Sequence, residues 1–597
     1  MNVKTRKAAR RLALALALSS CATAAFAGNV KKPYMIYEGD PTTMTVLWQD
    51  NATETTNTIT WGTDSTFTTN LGSVTVPEYT PSPLAPTLYT HQHKYKITGL
   101  SPATKYYYQV ADATNGVYGT GSFVTAPDAN ATSVKFLGFG DTRTNPNVME
   151  QVIQEMRKVY AADPAYQSLT IQAGDWVHTD GETAWGNSTN NTIPGTALYE
   201  WFNTNPQTEA LLAETPINGV KGNHEDNGGY SAFFPKYYPY PYPSINTVAT
   251  GSATDPKSNN LYWSFDYGPV HFTLVDQYSE YCYADQPNTT CATTHANSAQ
   301  YDWVVTDLRT TTKPWKVLMY HEPTWGPGTH QLNYKSQLAF DRLIQQYGVD
   351  MVYSGHNHNY GRALASTLAE TKPVAGATPQ NTVVNGVQDT IAPTVNYVTV
   401  GGGGAPLYTV DLTNASTGCA GTPTGVYINN NCFRHAVAGV SNLGYATFNV
   451  NGNTFTMNAY QIFHGDGTTI AKGTDTLPQA TTSSLIETVT LTHPTDISTL
   501  FSVATSGLTY SRATQTYSGT VTATNVSSAP VSLKLSLYFN NLSAGVTLLN
   551  ATSTDNGVPY IDQTVDLAPG ASIMYPVKFS NPSNQFIHYE PALKRNR

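Results

Sequence analysis

The run Tyr353-Ser354-Gly355-His356-Asn357-His358-Asn359-Tyr360 decides how the rest of the chain is read. It follows Val349-Asp350-Met351-Val352, a largely apolar run that reads as a buried strand after a helix ending at Gly348. Side-chain direction repeats every second residue in an extended segment, so His356 and His358 project to the same side. Gly355 lets the backbone bend at the strand end, which allows both rings to face one point. A lone His-x-His is common in polar loops, so its meaning depends on partners elsewhere.

Four upstream clusters supply them: Gly140-Asp141, Gly174-Asp175, Gly222-Asn223-His224-Glu225, and His321. Each closes a strand-like run, over 135–139, 169–173, 217–221 and 315–320 respectively. Open α/β sheets build their sites at the carboxyl ends of strands, where such residues converge. Each cluster alone reads as a capped turn or a core histidine; the five in this order read as a site.

In that order the clusters resemble the calcineurin-like metallophosphoesterases, most closely the purple acid phosphatase branch. The resemblance extends to Gln300-Tyr301-Asp302-Trp303 and to Leu100-Ser101-Pro102-Ala103-Thr104-Lys105-Tyr106-Tyr107-Tyr108, and covers roughly residues 30–475. It implies two metal ions bridged by Asp175, one held also by Asn223, His321 and His356, the other by Asp141, His358 and a further ligand. Purple enzymes place there a Tyr three residues after the bridging Asp, whose phenolate binds ferric iron and gives the colour. Here that position is His178, which implies divalent ions (Fe, Zn or Mn) and a colourless protein. The non-purple branch has His two residues after the first Asp, where this chain has Arg143.

His224 is placed to stabilise developing charge or protonate the leaving oxygen, similar enzymes imply that His330 contacts phosphate, and the Arg143 guanidinium can pair with phosphate oxygens. The implied function is hydrolysis of phosphate monoesters, on phosphorylated small-molecule substrates, through a metal-bound hydroxide. The alternatives are a phosphodiesterase or nucleotidase and, from another class, a surface binding protein with a degenerate catalytic domain.

At 597 residues the chain exceeds one core, and about three or four domains are expected. Charged residues are 12%, against about a quarter in typical globular proteins, which suits β-modules with uncharged polar faces. The net charge of −9 becomes −14 without the leader residues Lys4, Arg6, Lys7, Arg10 and Arg11, and no basic run exists to hold nucleic acid. That leader, with its apolar stretch Leu12–Leu18, reads as a secretory signal over 1–27, cleaved after Ala25-Phe26-Ala27; lipidation at Cys21 is the alternative. No later segment is long and apolar enough to span a bilayer, and a secreted or periplasmic protein is expected. Short loops and an oxidising compartment favour disulfides Cys282–Cys291 and Cys419–Cys432, and no C-x-x-C spacing supports a zinc cluster instead.

Three folded units follow. Residues 30–128 alternate in strand fashion, and the Leu100–Tyr108 pattern is similar to fibronectin type III domains, so an N-terminal fibronectin type III-like β-sandwich is expected. Residues 133–480 alternate strand, ligand loop and helix, the pattern of an α/β domain; the resemblance makes it a metallophosphoesterase domain with two packed sheets flanked by helices. Its first helix opens at Asn145-Pro146 with Val148, Val152, Met156 and Val159 on one stripe. Tyr230–Tyr262 reads as a long surface loop near the site, and Gly401–Gly404 as a tight turn. Residues 498–597 read as a C-terminal β-sandwich with Pro576 on an edge strand.

Overall fold

A computed structural model describes residues 30–50, 56–79, 91–177, 206–225, 234–243, 261–278, 299–330, 332–333, 336, 339–340, 343–344, 347–365, 395–412, 436–470, 479–493, 495–527, 530–555 and 557–595. Residues 1–27, Cys282, Cys291, Cys419, Cys432 and His178 lie outside them.

The described residues between 30 and 124 form two antiparallel sheets. One holds Val30–Ile36, Met44–Asp50 and His91–Ile97; the other holds Asn70–Pro77, Thr56–Gly62, Lys105–Asp112 and Gly116–Val124. The alternation read from Lys105 to Asp112 is the reason: Tyr106, Tyr108 and Val110 turn inward onto Trp48, Ile59 and Phe123. The Tyr106 hydroxyl accepts the Ser101 amide at 2.9 Å, which pins the chain's entry into that strand. These sheets brace the next unit, because the Asn218 side chain exchanges two hydrogen bonds with the Tyr37 backbone.

The central unit is two sheets packed face to face. The six-stranded sheet runs Ile217–Gly219, Thr170–Gln172, Ser133–Phe139, Gly444–Asn451, Thr454–His464, Thr481–Thr492. The seven-stranded sheet runs Trp263–Tyr267, Val270–Leu274, Trp315–Met319, Met351–Ser354, Val395–Val400, Tyr360–Ala365, Ala436–Val440. In the first sheet Ser133–Phe139, Thr170–Gln172 and Ile217–Gly219 are parallel neighbours. Val270–Leu274, Trp315–Met319, Met351–Ser354 and Val395–Val400 are parallel in the second. Each set therefore ends its strands on one side, and the ligand-bearing loops emerge there. Aromatic rings fill the space between: Phe136 stacks on Phe448 at 4.6 Å and meets Phe272 edge-on at 5.4 Å.

Helix Pro146–Ala162 buries Val148, Val152 and Met156, with Val159 at the margin, as its periodicity requires. Asn145 stands at the cap position, but its side chain donates to the Gly404 carbonyl at 3.2 Å instead of capping the helix. The tyrosine-rich stretch also departs from expectation. Tyr238 and Tyr240 are buried, packed on Trp176 at 4.3 Å and Trp263 at 4.4 Å, so this part backs the Asp175 loop rather than lying on the surface. Ring area outweighed the turn-rich composition.

The last hundred residues form two five-stranded sheets sharing a core of Leu535, Leu537, Tyr575, Val577 and Phe579. The strand Ser572–Ser580 is not an edge: it lies between Thr516–Asn525 and the short Thr547–Leu548, and the Asn550 side-chain amide donates to the Pro576 carbonyl at 2.8 Å beyond that short strand. The terminal strand Glu590–Arg595 reaches the central unit: Arg595 bonds the buried Asp350 carboxylate, and His493 lies 2.9 Å from the same oxygen. Burial pushes the Asp350 carboxyl up, but His493 and Arg595 outweigh it and hold it below the usual range.

Arg595→Ala is expected to lower stability by roughly 1.5–3 kcal/mol near neutral pH, the worth of a hydrogen bond to a charged group. Because the Asp350 carboxyl is depressed in the folded state, this contribution is present above the ordinary carboxylate range and is lost as pH falls through the folded value. Unfolding midpoints of both proteins at pH 7 and in acid check it; an equal gap at both pH values contradicts it.

Candidate metal centre

Five strand ends deliver the side chains. Ser133–Phe139 leads to Asp141, Thr170–Gln172 to Asp175, Ile217–Gly219 to Asn223, Trp315–Met319 to His321, and Met351–Ser354 to His356 and His358. Asp141, Asp175 and His356 hold left-handed backbone angles of 57°, 55° and 63°, unusual for residues with side chains. Such angles cost about 1–3 kcal/mol each and persist where the surroundings enforce them. The enforcement is visible. The His356 amide donates to both Asp141 carboxylate oxygens at 2.9 and 3.0 Å, and the Asp141 amide donates to Gly174 O at 3.0 Å. Two motif glycines make room for the neighbouring ligand: a Cβ on Gly222 would lie 2.1 Å from Asp175 Oδ1, and one on Gly355 2.3 Å from Asp141 Oδ2.

One set of ligand atoms converges tightly. His321 Nε2 is 3.1 Å from both Asp175 Oδ1 and Asn223 Oδ1, and His356 Nδ1 is 3.0 Å from Asn223 Oδ1. The His321 Nδ1 proton is taken by the Ala173 carbonyl at 2.7 Å, which turns the Nε2 lone pair inward. Asp141, Asp175 and His321 present ligand atoms within 4.8 Å of one another, all buried. Burial pushes the Asp141 carboxyl up. For Asp175 burial acts the same way, but His321, then His224 and Arg143, outweigh it and hold the carboxyl well down, while His321 is pushed up to about 10. Buried carboxylates that draw a proton onto the His321 imidazole are a site that calls for a cation. The first set fits a metal ion.

The second set is different. His358 Nε2 lies 3.4 Å from Asp141 Oδ1, and its Nδ1 proton goes to the Pro406 carbonyl at 2.5 Å. Yet Arg143 donates Nε to Asp175 Oδ2 at 2.8 Å, and its Nη2 lies 3.2 Å from His358 Nε2. As they stand, these residues do not fit a second ion.

The other expected residues gather around the centre. The His224 amide bonds Asp175 Oδ1 at 3.1 Å, and its Nε2 lies 3.9 Å from Asp175 Oδ2. The His330 ring lies 4.5 Å from His356, and the His330 amide bonds Asn357 Oδ1 at 3.0 Å. Burial, then the neighbouring His358 and Arg143, holds the His330 imidazole below its usual range.

Sequence reasoning missed three components. Glu225 accepts amides from Asp175, Val177 and Gly222 at 3.0, 3.0 and 2.6 Å, tying two ligand loops together; burial, then the Asp175 charge, pushes its carboxyl up to about 8. Tyr408 stacks on His358 at 4.2 Å and on His330 at 4.8 Å. The Gly401–Gly404 run is a lacing segment: Gly401 N–H bonds Asn359 O, Gly403 N–H bonds Gly140 O, Ala405 N–H bonds Asp141 O and Tyr408 N–H bonds His358 O. The signal available was its place after the strand Val395–Val400, at the same sheet end as the ligand loops.

Residues 31–125 match the family described as purple acid phosphatase, N-terminal domain, and residues 134–360 match calcineurin-like phosphoesterase. The chain resembles the calcineurin-like phosphoesterases of the purple acid phosphatase type. It is 26% identical over 332 residues to purple acid phosphatase 23 of Arabidopsis thaliana, covering 52% of this chain and 62% of that protein. To purple acid phosphatase 1 of Ipomoea batatas it is 26% identical over 329 residues, covering 52% and 58%. The chain thus spans less than two thirds of the length of these relatives. The solved structure of PhoD shares the fold, with a TM-score of 0.52 at 12% identity over 77% of this chain and 90% of that one. The purple acid phosphatase family implies a dinuclear metal centre, and the Asp141, Asp175 and His321 group lies where one belongs.

Glu225→Gln replaces an acceptor-only carboxylate with an amide that keeps one acceptor oxygen. Metal affinity is expected to fall by about 10–100-fold, as for other residues that orient ligands. Competition against a chelator of known affinity measures it; unchanged affinity in a folded variant contradicts the role.

Proposed function

We propose that the chain is a metal-dependent phosphoesterase that hydrolyses phosphate monoesters on small-molecule substrates. The observation that carries this is the convergence of Asp175, Asn223, His321 and His356 at the ends of four strands, with Asp141 beside them. An ion there, of Fe, Zn or Mn type, supplies Lewis-acid polarisation of a phosphoryl oxygen and a more acidic bound water. Asp175, with oxygens facing both sets, is the proposed bridge; Asp141 and His358 stand on its other side.

Around this core the side chains take distinct parts. Arg143 offers guanidinium donors to phosphate oxygens. His330 stands across His356 from the carboxylates and contacts the phosphoryl group on the open side. His224, partly exposed and anchored by its amide to Asp175, is placed to give a proton to the leaving oxygen. With His178 at the sequence position where the purple enzymes carry their tyrosine, no phenolate is supplied there, and the protein is colourless.

The same reading assigns residues 1–27 as an export signal, 30–128 as a fibronectin type III-like β-sandwich, 133–480 as the catalytic domain and 498–597 as a second β-sandwich. Export to a secreted or periplasmic location goes with disulfides Cys282–Cys291 and Cys419–Cys432. No helix among the described residues is long and apolar enough to cross a membrane.

A second reading draws on Arg143: a guanidinium on Asp175 and His358 is also what a surface binding protein with a degenerate centre would show. Asp175→Asn separates the two. Turnover of a generic aryl phosphate is expected to drop by on the order of 100–1,000-fold, the loss typical of one group that stabilises transition-state charge. A folded variant with wild-type turnover contradicts the proposal; negligible turnover of the wild type under every metal condition favours the binding protein.

A further inference from the structure

We propose that Arg143 holds the second-metal position, so that the centre works with one ion and one guanidinium. The inference rests on the phosphoesterase reading and departs from the family's dinuclear arrangement.

The Arg143 amide donates to the Asp175 carbonyl at 3.2 Å, so its backbone is fixed to the loop carrying the bridging carboxylate. The side chain turns into the centre, with 11% of its surface exposed. There Nε donates to Asp175 Oδ2 at 2.8 Å, and Nη1 donates to Thr144 Oγ1 at 3.3 Å. A guanidinium has no acceptor, so its 3.2 Å approach to His358 Nε2 is a donation into the imidazole lone pair. That lone pair is free for it because the Nδ1 proton is given to the Pro406 carbonyl. The Tyr408 ring stacks on the same imidazole at 4.2 Å.

These are the atoms a second ion would need. Asp175 Oδ1 faces His321 and the first position; Oδ2 is the oxygen left for the second, and Arg143 caps it. His358 offers its remaining lone pair, and Arg143 takes that too. Arginine stays protonated in proteins, so unlike an imidazole it cannot give up a proton to make way. Charge points the same way. One dication and the guanidinium already exceed the Asp141 and Asp175 carboxylates in charge, and a second dication within the same few ångströms adds repulsion. A guanidinium so held keeps donors for phosphate oxygens while supplying fixed positive charge where the second ion would have done so.

The test is a count. Protein purified without chelator and equilibrated with excess Mn²⁺, then freed of loose metal, is analysed for bound ion per chain and by electron paramagnetic resonance. The wild type is expected to hold one ion with the spectrum of an isolated Mn²⁺. Arg143→Ala and Arg143→His, which release Asp175 Oδ2 and His358 Nε2, are expected to hold two ions with a spin-coupled spectrum. Two spin-coupled ions in the wild type overturn the inference whether or not either variant folds, and they leave the phosphoesterase reading intact. One ion in folded variants of both kinds overturns it as well. No tightly held ion in any of the proteins overturns the phosphoesterase reading together with it.

Discussion

Two carboxylates, Asp141 and Asp175, are withdrawn completely from water at the meeting of two sheets. Burying charge costs several kcal/mol per group unless it is compensated on the spot. Much of the central unit is arranged around that compensation: imidazoles from the second sheet, a guanidinium from the first, and a ring of backbone amides. Asp141 receives the His356 amide, and Asp175 receives the His224 amide. The left-handed backbone at Asp141, Asp175 and His356 is the local cost of aiming these groups at one point, and hydrogen bonds between the loops sustain it. Stability and function therefore meet at the same few residues.

The strand-end clusters were legible because each joins a short apolar run to a glycine or ligand residue, a pattern visible without tertiary knowledge. The first helix was legible from its stripe, since Val148, Val152 and Met156 recur at helical spacing and are buried. What escaped was set by the partner sheet. Asn145 looks like a capping residue from local sequence, and only the arrival of Gly404 beside it diverts the side chain. Glu225 reads as the end of a motif, and its three amide partners come from two loops. Tyr408 carries no local signal at all, since its position over His358 depends on how the glycine run threads between loops. Composition misled once: tyrosines 238 and 240 sit in a turn-rich stretch, yet their rings pack on Trp176 and Trp263.

The flanking sheets act on the centre indirectly. The N-terminal sheets grip Tyr37 to Asn218, in the strand that leads to Asn223. The C-terminal strand grips Asp350, the residue before the strand that leads to His356 and His358. Each thus holds the root of a ligand loop.

The central claim is that Asp175, Asn223, His321 and His356 together hold a metal ion. Anomalous diffraction from crystals of the metal-loaded protein, recorded either side of the absorption edge of the ion supplied, tests it most directly. The account predicts a peak within coordination distance of Asp175 Oδ1, Asn223 Oδ1, His321 Nε2 and His356 Nδ1, with all four side chains turned toward it. A strong peak elsewhere, or none in this cluster from protein that analysis shows to be loaded, would contradict it.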